Sequence, residues 1–422
     1  MYITADAHIM EPTDLFTSRL PEEDHFRAPT YNRLPGGRKM WTSNGVRTSL
    51  TPDYWRDLPD GTKEVIAPSG ADGYLADLDL DGVWGAVMHG NVGLAIYDLD
   101  DPDFALRCAQ IYNDWVAETY NGSTRLYPMP IIPLIDIDNA LGEIERVAKL
   151  GFRGLEIPMS APAAAPYFSR DYDPIWAAAQ RHGLPVFAHI GTGVKRSAAG
   201  LDLVQRTVNF TAPRDVANWP AGHPDHEAAL VANKMSFGPL GGLTGSTAGE
   251  MIPALIAGGV AERFPDVHFV MVEVGARWLQ NLMDTMDDTW YDGPGVVEVN
   301  RTFFRSDGSM FPQFDDDAMN LHWPYPQMPS DYVRRQFHVT FMDDWRALRN
   351  RTVTGVRPLI WGNDYPHFEG SWPKSVEAID VQSEKAGLTA DEKSAIFGGT
   401  LANLLGIESV VPATRASGRA PD

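Results

Sequence analysis

A single cysteine, Cys108, stands among 422 residues, which excludes a disulfide framework and any cysteine-rich zinc site. Within the apolar-periodic stretch from Phe104 to Val116 it reads as core packing. Apolar runs near twenty residues are missing as well, so no membrane-spanning helix and no membrane partner are expected. The opening residues lack a basic segment followed by an apolar one, and a cytoplasmic protein is expected. Positive charge is scarce: 35 Lys and Arg against 56 Asp and Glu leave a net charge of −21. A polyanion needs a basic surface to release its counterions, so nucleic acid is not an expected partner. No Gly-x-Gly-x-x-Gly follows any expected strand, which speaks against a dinucleotide site.

What is present is an ordinary globular composition, 44% hydrophobic and 22% charged, arranged as short apolar runs between helical periodicities. Strands are expected at 2–4, 83–88, 126–134, 152–158, 184–190, 267–273, 337–341 and 358–364. Helical spacing occupies 74–80, 104–120, 140–150, 173–182, 248–264, 278–290, 345–354, 374–386 and 390–405, with Gly183 as one stop signal. This alternation predicts an α/β chain, a distorted (β/α)8 TIM barrel forming one domain over 1–408 with a tail at 409–422. Three stretches rich in Gly, Pro and aromatics, 14–71, 191–245 and 294–329, read as long insertions over the catalytic mouth. Trp41, Trp55, Trp219, Trp323 and Trp372 lie on them or beside them; they suit either an aromatic mouth for a ring-bearing substrate or ordinary packing.

In such barrels the chemistry sits at the carboxyl ends of the strands. Asp6 and His8 follow the first strand two residues apart, so both side chains leave one face of an extended chain. His189 ends the fifth strand and Asp364 the eighth. Two imidazoles and two carboxylates converging on one rim suit one divalent metal, zinc first, with manganese or iron as alternatives. Such a metal lowers the pKa of its water towards about 7 and polarises a bound carbonyl. Asp364 is the first candidate to move the proton, and Glu273 the second, because a carboxylate ending an apolar strand is costly unless used or paired. The competing role for Glu273 is an ion pair with Arg277, four residues on. His367 is a candidate for orienting substrate or supporting a ligand. His89, Glu156 and Arg277 are candidates for the substrate pocket, with Glu156 also placed to bridge a second metal. His338 reads as core, and His223 and His226 as loop residues.

The segments Asp6-Ala-His8-Ile-Met-Glu11-Pro12, Phe187-Ala-His189, Arg263 through Trp278 and Trp361-Gly-Asn-Asp364-Tyr-Pro-His367 together resemble the amidohydrolase superfamily. The likeness is to the amidohydrolase-2 group, which includes aminocarboxymuconate-semialdehyde and resorcylate-type decarboxylases. It implies a distorted barrel, one catalytic divalent metal, a small-molecule substrate and a homodimer or higher homo-oligomer. Asp6 stands where many members carry histidine, and Glu273 stands where the decarboxylases usually carry a histidine that assists protonation. A carboxylate there repels a substrate carboxylate unless it is protonated. The expected activity is therefore metal-dependent hydrolysis of a carbonyl substrate, with non-oxidative decarboxylation as the alternative and a non-catalytic, metal-holding binder as a third reading.

Overall fold

The computed structural model describes residues 1–34, 38–52, 55–57, 63–65, 70–162, 166–193, 248–290, 323–367 and 369–409. All eight expected strands are present: β1 (Ile3–Thr4), β2 (Gly85–Met88), β3 (Leu126–Pro128), β4 (Leu155–Pro158), β5 (Val186–His189), β6 (Phe269–Val272), β7 (Phe337–Phe341) and β8 (Leu359–Trp361). They form two parallel sheets rather than one, in the orders β1-β2-β3 and β8-β7-β6-β5-β4. Short backbone bridges tie the sheets at both seams. At one, Ala5 N–H donates to Trp361 O at 3.0 Å and Ala7 pairs with Tyr365. At the other, Ile131 pairs with Glu156, and Ile132 N–H donates to Glu156 O at 2.8 Å.

The second seam explains why β3 is shorter than its apolar run. Pro128, Pro130 and Pro133 carry no N–H to donate, so past Pro128 the ladder thins to single bonds such as Met129 N–H to Met88 O at 2.9 Å. A side chain adds to them. Asn113, on the helix α2 (Pro102–Tyr120) that follows α1 (Gly70–Asp81), accepts from Ile131 N–H at 2.8 Å and donates to Ile131 O at 3.1 Å and to the buried Glu143 at 2.7 Å.

Helix α2 begins where Asp101 accepts from the N–H groups of Asp103 and Phe104 with Pro102 in the first turn, a cap that offsets the unpaired donors of a helix start. Its buried stripe, Phe104, Ala105, Cys108, Tyr112, Val116 and Tyr120, keeps the three-to-four spacing read from the sequence. Helix α3 (Ile137–Lys149) follows, and helix α4 (Asp173–His182) ends at Gly183 with φ of 63°. Inside the strands, Ile3, Val87, Met129, Phe187, Val270 and Ile360 meet in one buried cluster. Burying one such side chain contributes about 2–3 kcal/mol.

Other expectations change in detail. Residues 248–264 break at Gly259, whose φ of 70° suits glycine and whose Cβ would meet the Tyr325 hydroxyl. The run 345–354 is two helices, Trp345–Arg349 and Arg351–Thr354, while 390–405 is interrupted by a wider turn at Ala395–Gly399. Pro329–Gln336 forms a helix that the sequence pattern did not reveal. Within the first expected insertion, Thr30–Leu34, Arg38–Ser43 and Val46–Pro52 form an antiparallel sheet and Trp55–Asp57 pairs with Lys63–Val65. Most of the other two expected insertions (194–245 and 294–322), His223, His226, Trp219 and the tail beyond 409 lie outside the described residues. Trp41 is buried against Tyr31, Trp323 packs on Tyr325, and Trp372 donates to Asp77 O, so these three tryptophans serve packing. Among the described residues no helix is long and apolar enough to cross a membrane.

The Asn113→Ala variant is expected to leave Ile131 N–H and O and Glu143 without their buried partner. The expected destabilisation is about 3 kcal/mol, read as a lowered midpoint in urea denaturation; a shift near zero would show that Asn113 does not carry the seam.

Candidate metal centre

Two backbone hydrogen bonds set the centre. Asp364 N–H donates to Asp6 O at 2.8 Å, and His8 N–H donates to Tyr365 O at 2.6 Å. The segments leaving β1 and β8 are thus stitched together where they carry Asp6, His8 and Asp364. Gly362 makes the close approach possible: a Cβ there would sit 2.3 Å from Asp6 Cβ. Asp364 and Glu273 both hold left-handed backbone, with φ of 54° and 60°. Non-glycine residues seldom adopt that conformation unless their surroundings hold them in it. At Glu273 the holding contact is its N–H donating to Thr340 Oγ1 at 2.7 Å.

Asp6, His8, His189 and Asp364 are all buried, and their polar atoms converge. His8 Nε2 lies 3.7 Å from Asp6 Oδ1 and 3.4 Å from Asp364 Oδ1, and His189 Nε2 lies 3.9 Å from Asp6 Oδ1. Each imidazole turns its Nδ1 to a backbone carbonyl, His8 to Gly90 O at 3.1 Å and His189 to Ile190 O at 2.9 Å. A carbonyl only accepts, so both Nδ1 atoms carry the hydrogen and both Nε2 atoms are bare in the neutral rings. Those two bare nitrogens face each other at 3.2 Å, an arrangement that repels unless a cation or proton lies between them.

A proton is the poorer fit. Burial, with His367 and His189 next to it, holds His8 well below the ordinary imidazole range, and burial with His89 takes His189 down to about 3. The carboxylates make the complementary case. Burial, reinforced by Asp364, pushes Asp6 up to about 7, and burial raises Asp364 well above the carboxylate range, as it does Glu273 beside the Asp364 and Asp6 charges. Asp6 Oδ1 and both Asp364 oxygens are buried without an aligned hydrogen bond. Bare nitrogens and unpartnered carboxylate oxygens meeting at one point are the donor set of a divalent metal, and Asp6, His8 and His189 place their donor atoms within 4.8 Å of one another.

The other expected residues surround this point. His367 stacks on His8 with ring centroids 4.0 Å apart, its Nδ1 is 2.9 Å from Asp364 Oδ1, and its Nε2 is 3.1 Å from Asn91 Oδ1. Glu273 Oε2 lies 3.4 Å from His189 Nε2. Arg277 is not its partner: the guanidinium donates to Asp344 Oδ1 at 2.5 Å and is 59% exposed. Asp344 offers better geometry because it caps the helix Trp345–Arg349 and accepts from Ala276 N–H as well. His89 and Glu156 form a wholly buried pair, Nδ1 to Oε2 at 3.3 Å, with His89 Nε2 on Ala5 O. Burial alone lowers the His89 pKa, but the Glu156 carboxylate reverses the sign and raises it. His338 bonds Arg357 O and His268 as a core residue.

Two contributors escaped the sequence. Glu11 is buried and accepts from the N–H groups of Asn91, Val92 and Gly93 at 2.9, 3.1 and 2.9 Å, clamping the turn that presents Gly90 O to His8 and Asn91 to His367. Burial pushes its carboxyl up to about 7 against the pull of those N–H groups. Glu369 brings a third carboxylate beside Glu273 and Asp364. Glu11 stands in the opening motif, so its position was visible although its clamp was not; nothing local marks Glu369.

The Glu11→Ala variant is expected to loosen the support behind His8 and His367 and weaken divalent-metal affinity by about 10–100-fold. Competition with a chelating dye measures this, and an unchanged affinity would leave Glu11 as a stability residue only.

An amidohydrolase from Mycobacterium avium subsp. paratuberculosis K-10 superposes with a TM-score of 0.66 at 19% identity, covering 96% of this chain and 99% of that one. The 5-carboxyvanillate decarboxylase of Sphingomonas paucimobilis gives 0.55 at 21% identity, covering 96% and 98%. A dihydroxybenzoic acid decarboxylase from Polaromonas sp. JS666, solved with bound manganese and the inhibitor 2-nitroresorcinol, gives 0.58 at 16% identity, covering 96% and 97%. These likenesses establish a shared fold. Among curated proteins none matches. The family model described as Amidohydrolase (Amidohydro_2) matches residues 90–407, and the chain therefore belongs to the amidohydrolase family, in its amidohydrolase-2 group.

Proposed function

We propose that this protein is a metal-dependent carboxy-lyase that removes carbon dioxide from a small aromatic or unsaturated carboxylic acid. The two bridged sheets are read as one distorted (β/α)8 barrel, with the metal centre at the carboxyl ends of its strands. Asp6, His8, His189 and Asp364 would hold one divalent ion. Their mixed nitrogen and oxygen donors suit manganese, iron or zinc, and the manganese in the Polaromonas decarboxylase supports manganese over the zinc first expected. When bound, such an ion stabilises negative charge on the oxygens it touches.

The observation that carries the proposal is the contact between His367 Nδ1 and Asp364 Oδ1 at 2.9 Å. Asn91 Nδ2 donates to Ile9 O at 2.9 Å, which turns Asn91 Oδ1 towards His367 and makes His367 Nε2 the N–H donor. Nδ1 then faces a carboxylate oxygen, so a proton must be held between the two groups. As the bond to the substrate carboxylate breaks, its electron pair stays on the carbon, carbon dioxide leaves, and that carbon takes the proton from the His367–Asp364 pair. His367 is 13% exposed and regains the proton from solvent. The decarboxylases among the structural neighbours support this reaction over the hydrolysis first expected.

Hydrolysis is the second reading, favoured by the same pair acting in reverse: Asp364, whose Oδ2 has no hydrogen-bond partner, would take the proton of an attacking water and pass it to the leaving group.

Manganese-loaded protein incubated with dihydroxybenzoates and methoxylated benzene dicarboxylates is expected to release carbon dioxide and, in heavy water, to place deuterium on the vacated ring carbon. Uptake of labelled water into products of esters, amides or lactones without carbon dioxide release would favour hydrolysis instead. The His367→Gln variant is expected to lose about 10²–10⁴-fold in kcat at unchanged metal content. Undiminished turnover there would remove the proton-carrying role. His189→Ala and Asp364→Asn are each expected to abolish activity with the far-UV circular dichroism spectrum unchanged; activity surviving in both would overturn the site.

A further inference from the structure

A buried carboxylate with no cation beside it is costly unless other donors hold it, and Asp81, the last residue of α1, is such a group. It is 3% exposed, and its partners are a side-chain amide and a backbone N–H. Asn363 Nδ2 donates to its Oδ2 at 3.1 Å and Ser375 N–H to its Oδ1 at 2.8 Å. An ionised carboxylate only accepts, so this contact fixes which way the wholly buried Asn363 amide points. Asn363 Oδ1 is left to accept from Tyr365 N–H at 3.3 Å, which closes an Asx turn around residue 364. Asn363 N–H donates to Thr4 Oγ1 at 2.9 Å, and that hydroxyl donates on to Asp6 O at 2.9 Å. Asp364, with its φ of 54°, is the residue around which the turn is wound, and Asp81 aims the amide that closes it. The same face of α1 reaches both metal-facing segments: Asp77, one turn earlier, accepts from the Tyr365 hydroxyl at 2.5 Å, and Tyr74 donates to His8 O at 3.3 Å.

We propose that Asp81 is a positioning residue for the metal centre: through the Asn363 amide it holds Asp364 in the left-handed conformation that turns its carboxylate towards His8. Without the turn, the backbone at 364 relaxes towards the extended or helical regions that non-glycine residues prefer. The carboxylate then swings away from His8 Nε2, which lies 3.4 Å from Asp364 Oδ1, and the donor set keeps Asp6, His8 and His189 but loses its fourth member. The inference rests on Asp364 being a metal ligand, and not on whether the reaction is decarboxylation or hydrolysis.

Exchanging the two groups tests this without any turnover. Asn363→Asp sets two carboxylates against each other, and Asp81→Asn sets an amide NH2 against one of the two N–H donors. In the double variant Asp81→Asn/Asn363→Asp the amide and the carboxylate trade places, and every hydrogen bond of the chain again has a donor and an acceptor. Chelator-treated full-length protein is loaded with cobalt(II), whose visible absorption follows its coordination geometry, and manganese affinity is measured by calorimetry. Each single variant is expected to change the cobalt spectrum and to weaken manganese binding about 10–100-fold. The double variant is expected to recover the wild-type spectrum and an affinity within about twofold of the wild type; should a single variant fail to fold, the double variant decides by the same two readouts. Single variants that lower only the urea midpoint of the metal-free protein, with spectrum and affinity unchanged, would overturn the proposal, as would a double variant in which the losses add. A wild type that binds neither ion would instead overturn the metal-centre reading, and this one with it.

Discussion

The stitching of the chain after β1 to the chain after β8 is the constraint on which the rest of the structure depends. Asp364 N–H on Asp6 O and His8 N–H on Tyr365 O do two things at once. They bridge the three-stranded sheet to the five-stranded one, and they bring together polar side chains separated by more than 350 positions. The price is local and visible: a glycine at 362 with no room for a Cβ, and left-handed backbone at Asp364. Strain of that kind persists only where the surrounding hydrogen bonds over-determine it.

Electrostatics then follow from burial. Carboxylates and imidazoles removed from water lose their preferred charge states unless a counterion is close, and the shifts run in consistent directions: the carboxyls of Asp6, Glu273 and Asp364 rise and the imidazoles of His8 and His189 fall. Neutral imidazoles that anchor Nδ1 on carbonyl oxygens and present Nε2 inward are held in the tautomer that binds metal. Around them the Glu11 clamp and the Asn91 amide fix the turn after β2, so the ring of His367 can stack on His8 while still facing Asp364. The buried His89–Glu156 pair lies against the same cluster, its imidazole 5.4 Å from that of His189.

Much of this was legible one strand at a time. The helices over 104–120 and 173–182 came from periodicity, and the stop at Gly183 from the need for positive φ. The run 126–134 shows where local reading fails. Its apolar pattern extends a strand, but three prolines withhold donors, the ladder thins to single backbone bonds, and Asn113 from a helix earlier in the chain pairs with both backbone polar groups of Ile131. Arg277 fails likewise: spacing to Glu273 suggested an ion pair, and Asp344, 67 residues on, takes the guanidinium.

By itself the sequence determined which strands exist and which polar residues end them, because alternation, helical period and the abrupt change from apolar to polar are properties of neighbouring residues. Asp6, His8, His189 and Asp364 were identifiable on that ground. The tertiary structure alone decided that their donor atoms meet within a few ångströms, that Glu11 clamps a turn eighty residues away, and that Glu369 joins Glu273 and Asp364. Those outcomes depend on which distant backbones exchange hydrogen bonds and how closely they pack, quantities set by the closure of the whole chain upon itself rather than by any stretch of it.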